Sequence, residues 1–77
     1  MTTAARFRAL VPRAAALTFA RVASPAQSGV FSRLCAAAAV MSDAAIEETL
    51  TPHDLQSLES SIAQAEEAAR EYERLNN

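Results

Sequence analysis

From Leu50 onward the chain carries its clearest pattern. Apolar residues recur at spacings of 3, 4, 3, 4 and 3 through Leu55, Leu58, Ile62, Ala65, Ala69 and Tyr72, the a/d seam of a heptad helix over about three heptads. Thr51 is a good N-cap, Pro52 suits the first helical position because its missing N–H needs no partner there, and Asp54 stands three residues after the cap in a capping-box arrangement. Leu50 and Leu55 are placed as a hydrophobic staple. No Gly or Pro follows Pro52, so one amphipathic helix over about residues 52–75 is predicted, roughly 35 Å long at 1.5 Å per residue.

Glu59, Glu66 and Glu73 fall on the e positions of this helix, and Asp54, Ser61 and Ala68 on g. A parallel homodimer would set those g residues against the glutamates, which gives one repulsion and no attraction, so self-pairing is disfavoured. The seam Leu55, Leu58, Ile62, Ala65, Ala69 and Tyr72 is therefore expected to dock on a larger protein or complex that offers a basic or mixed-charge groove. Glu66 and Arg70 are spaced as a favourable i, i+4 pair.

Patterning in the first half is weaker. On a helical wheel Phe7, Leu10 and Val11 gather on one side with Arg6 and Arg8 flanking it, so the arginine stems lie along an apolar surface while their heads stay in water. Pro12 is expected to end or kink that helix. Ser24–Gly29 reads as a breaker run, and the linker at 42–50 as short and acidic with at most one helical turn.

Charge sharpens the division. Residues 1–42 contain Arg6, Arg8, Arg13, Arg21 and Arg33 and no acid, a charge of +5; the remainder holds nine acids against Arg70 and Arg74, a charge of −7. An arginine-bearing, acid-free, alanine- and serine-rich opening is the composition of an organelle-import presequence. The expected organisation is thus residues 1–41 as a largely disordered targeting segment read by import receptors, 42–50 as linker and 51–77 as the heptad helix. A helix beginning within the first few residues favours the mitochondrion over the plastid. Arg33-Leu34-Cys35 and Arg21-Val22-Ala23-Ser24 resemble processing sites, and initiation at Met41 would give a cytosolic form.

Composition sets the remaining bounds. Nineteen of 77 residues are alanine and four are aromatic, which predicts an all-α chain without an independent globular core. A lone Cys35 and a lone His53 assemble neither a disulfide nor a four-ligand zinc site. One glycine leaves no phosphate-cradling loop, and carboxylates spread around a helix form no catalytic pocket. No enzyme activity, cofactor or metal is expected. The longest apolar stretch, Leu34–Met41, is too short to span a bilayer, and five scattered arginines without stacking aromatics do not suit nucleic acid. These features predict a small mitochondrial interaction protein, an accessory or assembly subunit; the alternatives are a regulatory or inhibitory helix acting on an organellar enzyme and a truncated isoform of a larger organelle-targeted protein.

Overall fold

Each helix of the chain opens on a serine or threonine. In the computed structural model, which describes residues 2–20 and 24–75, there are four helices: α1 (Thr3–Phe19), α2 (Pro25–Val40), α3 (Asp43–Thr49) and α4 (Pro52–Leu75). The hydroxyl of Thr2 accepts the Ala5 N–H at 3.1 Å, that of Ser42 the Ala45 N–H at 3.2 Å, and that of Thr51 the Asp54 N–H at 3.1 Å. Each bond satisfies one of the orphan donors that a helix start exposes. At α4 the box closes in return, because the Thr51 N–H donates to Asp54 Oδ2 at 3.2 Å. This helix has the bounds that its sequence predicts.

The breaker reading of Ser24–Gly29 does not hold. Ser24 accepts the Gln27 N–H at 3.2 Å and donates its own N–H to Gln27 Oε1 at 3.1 Å, with Pro25 at the start of α2. Ser24-Pro25-Ala26-Gln27 thus uses the chemistry of Thr51-Pro52-His53-Asp54, and Gly29 is carried inside a helix. Pro12 likewise neither ends α1 nor divides it. Its side chain faces solvent, where the carbonyl it leaves unpaired can reach water, and buried Phe7 and Leu10 before it and Ala14 and Leu17 after it hold both halves on one surface.

Those apolar residues belong to a shared core. Its buried members are Ala4, Phe7, Leu10, Ala14 and Leu17 from α1, Phe31, Leu34 and Ala38 from α2, Ile46 from α3, and Leu55, Ile62 and Ala65 from α4. Both halves of the chain contribute, so the expected separation into a disordered basic segment and a lone helix is replaced by one packed body of 44 × 20 × 18 Å. Alanine is what the sequence reading undervalued. Ala4, Ala14, Ala38 and Ala65 are among the core residues, and their small side chains let backbones come close enough for the larger ones to be enclosed.

The arrangement is centred on α1. Each of α2, α3 and α4 packs against it, and among the described residues no two of those three pack against each other at the backbone level. Arg8 reaches the Ala38 carbonyl and Cys35 Sγ approaches the Val11 carbonyl at 3.8 Å, so α2 runs antiparallel to α1. Residues 42–50, expected as linker, instead supply α3, whose Ile46 is fully enclosed.

Candidate functional site

The seam between α1 and α4 brings together most of the residues to which the sequence assigns a role. Arg6 donates to Glu59 through Nη2 at 2.6 Å and Nε at 3.4 Å. One turn pair further on, Arg13 Nε donates to Glu66 at 3.0 Å, with Nη2 on the second carboxylate oxygen. Residue numbers rise together along both helices, so α1 and α4 are parallel. The offset is the same in both pairs, which fixes a single register.

That register is the one a parallel coiled coil uses. With Phe7, Leu10, Ala14 and Leu17 taken as a, d, a and d of α1, Arg6 and Arg13 occupy g, and each pairs with the e residue five places ahead on the facing helix. Phe7 then stands level with Leu55, Leu10 with Leu58, Ala14 with Ile62 and Leu17 with Ala65. Seven of these eight side chains are buried and Leu58 is partly so. The repulsion that disfavours a homodimer of α4 becomes two attractions when the facing helix is α1.

Magnitudes assign different tasks to the two kinds of contact. Enclosing a leucine, isoleucine or phenylalanine contributes about 1.5–3 kcal/mol each, whereas an ion pair at this exposure contributes about 0.2–1 kcal/mol. Apolar burial therefore provides the cohesion and the arginines choose the register. Among the described residues no charged side chain is buried, so all these ion pairs lie at the rim and open without stranding a charge in the core.

Electrostatics are felt most at the second pair. The hydrogen bond from Arg13 holds the Glu66 carboxyl below its usual range against some loss of solvation, with the charges of Arg13 and Arg70 acting in the same direction. Reciprocally, Glu66 raises Arg13. Glu66 is thus taken by α1, and Arg70 turns to Glu67 at 2.6 Å instead of the i, i+4 partner that its spacing suggests. At the start of α4 the backbone N–H of Thr51, with its hydroxyl, lowers Asp54.

Two further contacts secure α1. Glu47 of α3 accepts the Ala4 N–H at 2.9 Å, placing a carboxylate at the positive end of α1. Arg8 bonds Asp43 at 2.7 Å, the Ala38 carbonyl at 2.9 Å and the Met41 carbonyl at 2.8 Å. It thereby closes the carboxy end of α2 and the start of α3 together.

Of the residues expected to meet a partner, Leu55, Ile62 and Ala65 are buried and Leu58 and Ala69 half-buried inside this chain, while Tyr72 is 63% exposed. From Leu55 to Ala65 their seam is covered by α1. Of those expected to address the chain, Arg6, Phe7, Arg8, Leu10 and Arg13 lie within the packed assembly, Arg33 is exposed on α2 without an ion pair among the described residues, and Arg21 lies outside them. The Arg21-Val22-Ala23-Ser24 processing motif also falls largely outside. The sequence reading missed Asp43 and Glu47 as partners of α1. It also missed the matching seven-residue spacing of Arg6 and Arg13 with Glu59 and Glu66, a signal that was present in the sequence.

Past Leu17 the seam runs out. The position facing Glu73 falls to Ala20, and between the two helices opens a groove of about 440 Å³ whose walls include Ala16, Leu17, Ala20, Ala69 and Glu73. Among the described residues no group of three or more His, Cys, Asp or Glu is arranged to hold a metal ion, and no helix is long and apolar enough to cross a membrane. No protein-family model, curated protein or solved structure matches this chain.

Proposed function

We propose that this chain is a small mitochondrial interaction protein, an accessory or assembly subunit of a larger complex, and not an enzyme. Its basic helix α1 serves as the import address and its acidic helix α4 as the docking element. The observation that carries this reading is the pair of bonds from Arg6 to Glu59 and from Arg13 to Glu66 above an apolar seam. It supports α4 as a surface suited to a basic amphipathic helix running parallel to it, with cations seven residues apart. In the isolated chain α1 fills that place.

The address part of the reading is supported by the acid-free composition of residues 1–42 and by the apolar stripe of α1 with its flanking arginines. A reporter carrying residues 1–42 is expected to collect in mitochondria. Accumulation in plastids of green cells, or a diffuse signal, would reject the assignment. For the docking part, crosslinking mass spectrometry in intact mitochondria is expected to join α4 to one stoichiometric partner through a helix rich in arginine or lysine. Crosslinks confined to this chain would reject it.

A further inference from the structure

An address is read through two features of a presequence helix, its apolar stripe and its cations. In this chain the fold buries the first and pairs the second with acids. Phe7, Leu10, Ala14 and Leu17 are each no more than 6% exposed. Arg6, Arg8 and Arg13 are held by Glu59, Asp43 and Glu66, acids contributed by the two carboxy-terminal helices. We propose that the folded chain masks its own targeting helix, with α3 and α4 occupying the surface of α1 that an acidic, apolar import receptor reads. This rests on the reading of α1 as an import address.

Three properties make the mask reversible. It is closed by ion pairs at the rim over an apolar seam, with no buried charge among the described residues to strand on opening. It opens by movement of one element, since among the described residues every backbone-level packing between helices involves α1. Its acids stand at the g–e′ spacing, so a receptor helix or groove bearing the same pattern replaces them position for position. Import competence then follows the fraction of chains in which α1 has left α4, not the amount of chain present.

The test separates masking from the mere resistance of a folded chain to threading, because it reads binding to the outer surface before any translocation. Purified full-length chain is incubated with de-energised mitochondria, and sedimented protein is measured for four forms. These are the folded wild type, wild type diluted from urea immediately before mixing, the E59K/E66K variant, and A16C/A69C in a C35S background tethered by a bismaleimide. E59K/E66K is expected to bind about tenfold more than the folded wild type, as two lost ion pairs and the repulsion replacing them require, and the urea-diluted chain at least as much, since it also lacks the apolar contacts. The tethered chain is expected to stay at the wild-type level or below. Equal binding by folded and urea-diluted wild type overturns the mask, and so does strong binding by the tethered chain. In both of those cases a reporter on residues 1–42 that still reaches mitochondria leaves the address reading standing. A diffuse reporter together with no binding by any form removes the address, and the mask with it.

Discussion

Two helices flank α1, and they hold it by different means. Against α4 the contact is written twice at the same offset, with Arg6 on Glu59 and Arg13 on Glu66 above interleaved apolar positions. Against α2 it is mostly bulk: Phe31, Leu34 and Ala38 are buried, while the one charge that α2 carries, Arg33, points to solvent. The charged fastening on that side, among the described residues, comes from Arg8 of α1, which bonds the last carbonyls of α2, beside the weak bond from the Cys35 thiol to the Val11 carbonyl. Cohesion is available to both interfaces. Register is specified at one of them and only end-stopped at the other. An alanine-rich helix with one charge is a good filler and a poor discriminator, whereas a helix with acids every seventh residue selects its partner.

The comparison breaks first, if it is wrong, at the apolar positions. Phe31→Ala in α2 is expected to cost about 3–5 kcal/mol and Ile62→Ala in α4 about 2–5 kcal/mol. A chain of 77 residues has on the order of 4–12 kcal/mol in total, so urea melts followed by far-UV circular dichroism should show the midpoints of both variants lowered by a large fraction of the wild-type value. An unchanged midpoint for either one would detach that helix from the core.

Smaller, and specific to α2, is the loss of its start. Ser24→Ala removes the hydroxyl that accepts the Gln27 N–H, while the bond from its own backbone N–H to Gln27 Oε1 is kept, and should lower stability by about 1 kcal/mol. Restoration by Ser24→Asp would show that the cap itself, and not the local packing, is responsible.

Next comes the charge code. A double-mutant cycle on Arg13 and Glu66 should return a coupling of about 0.2–1 kcal/mol, and one on Arg8 with Asp43 should return less, because Asp43 is the more exposed acid. The same coupling sets a pH dependence. Glu66 is held below its usual range in the folded chain by the Arg13 hydrogen bond, so the stability it contributes is present above the unfolded-chain glutamate value. It is lost as pH falls through the folded one. Melts of wild type should therefore weaken on acidification across that window, and those of E66Q should weaken less. The smallest effect is reserved for Arg33→Ala, expected within about 0.5 kcal/mol of wild type. A larger loss would mean that α2 carries charge information after all.

What could be read from the sequence follows the same division. The bounds of α4, its cap, its seam and its stripe of glutamates are legible because each lies within a few residues of its cause. The cap of α2 was equally local and equally legible; Ser24-Pro25 reads as punctuation only because the alanines behind it offer no periodicity to announce a helix. The seam was harder. Its positions were identified on α4, but its occupant stands 53 residues away in the sequence, and a charge imbalance between halves suggests separate segments as readily as paired ones. Burial of Ala14 and Ala38 was not legible at all, unlike that of Ala65, which the heptad places on the seam: nothing in an isolated alanine says whether it faces a neighbour or water until the neighbour is placed.

The separation of Arg6 from Glu59 also sets a clock. During synthesis α1 is complete long before the glutamates that hold it exist, and at about 5–20 residues per second those 53 residues take roughly 3–10 s to follow. Throughout that interval the arginines and apolar stripe of the α1 segment have no acidic helix yet made to close over them. On the proposed reading of α1 as an address, a receptor has its easiest access then, so slow translation of α4 lengthens that access without any change in the protein sequence.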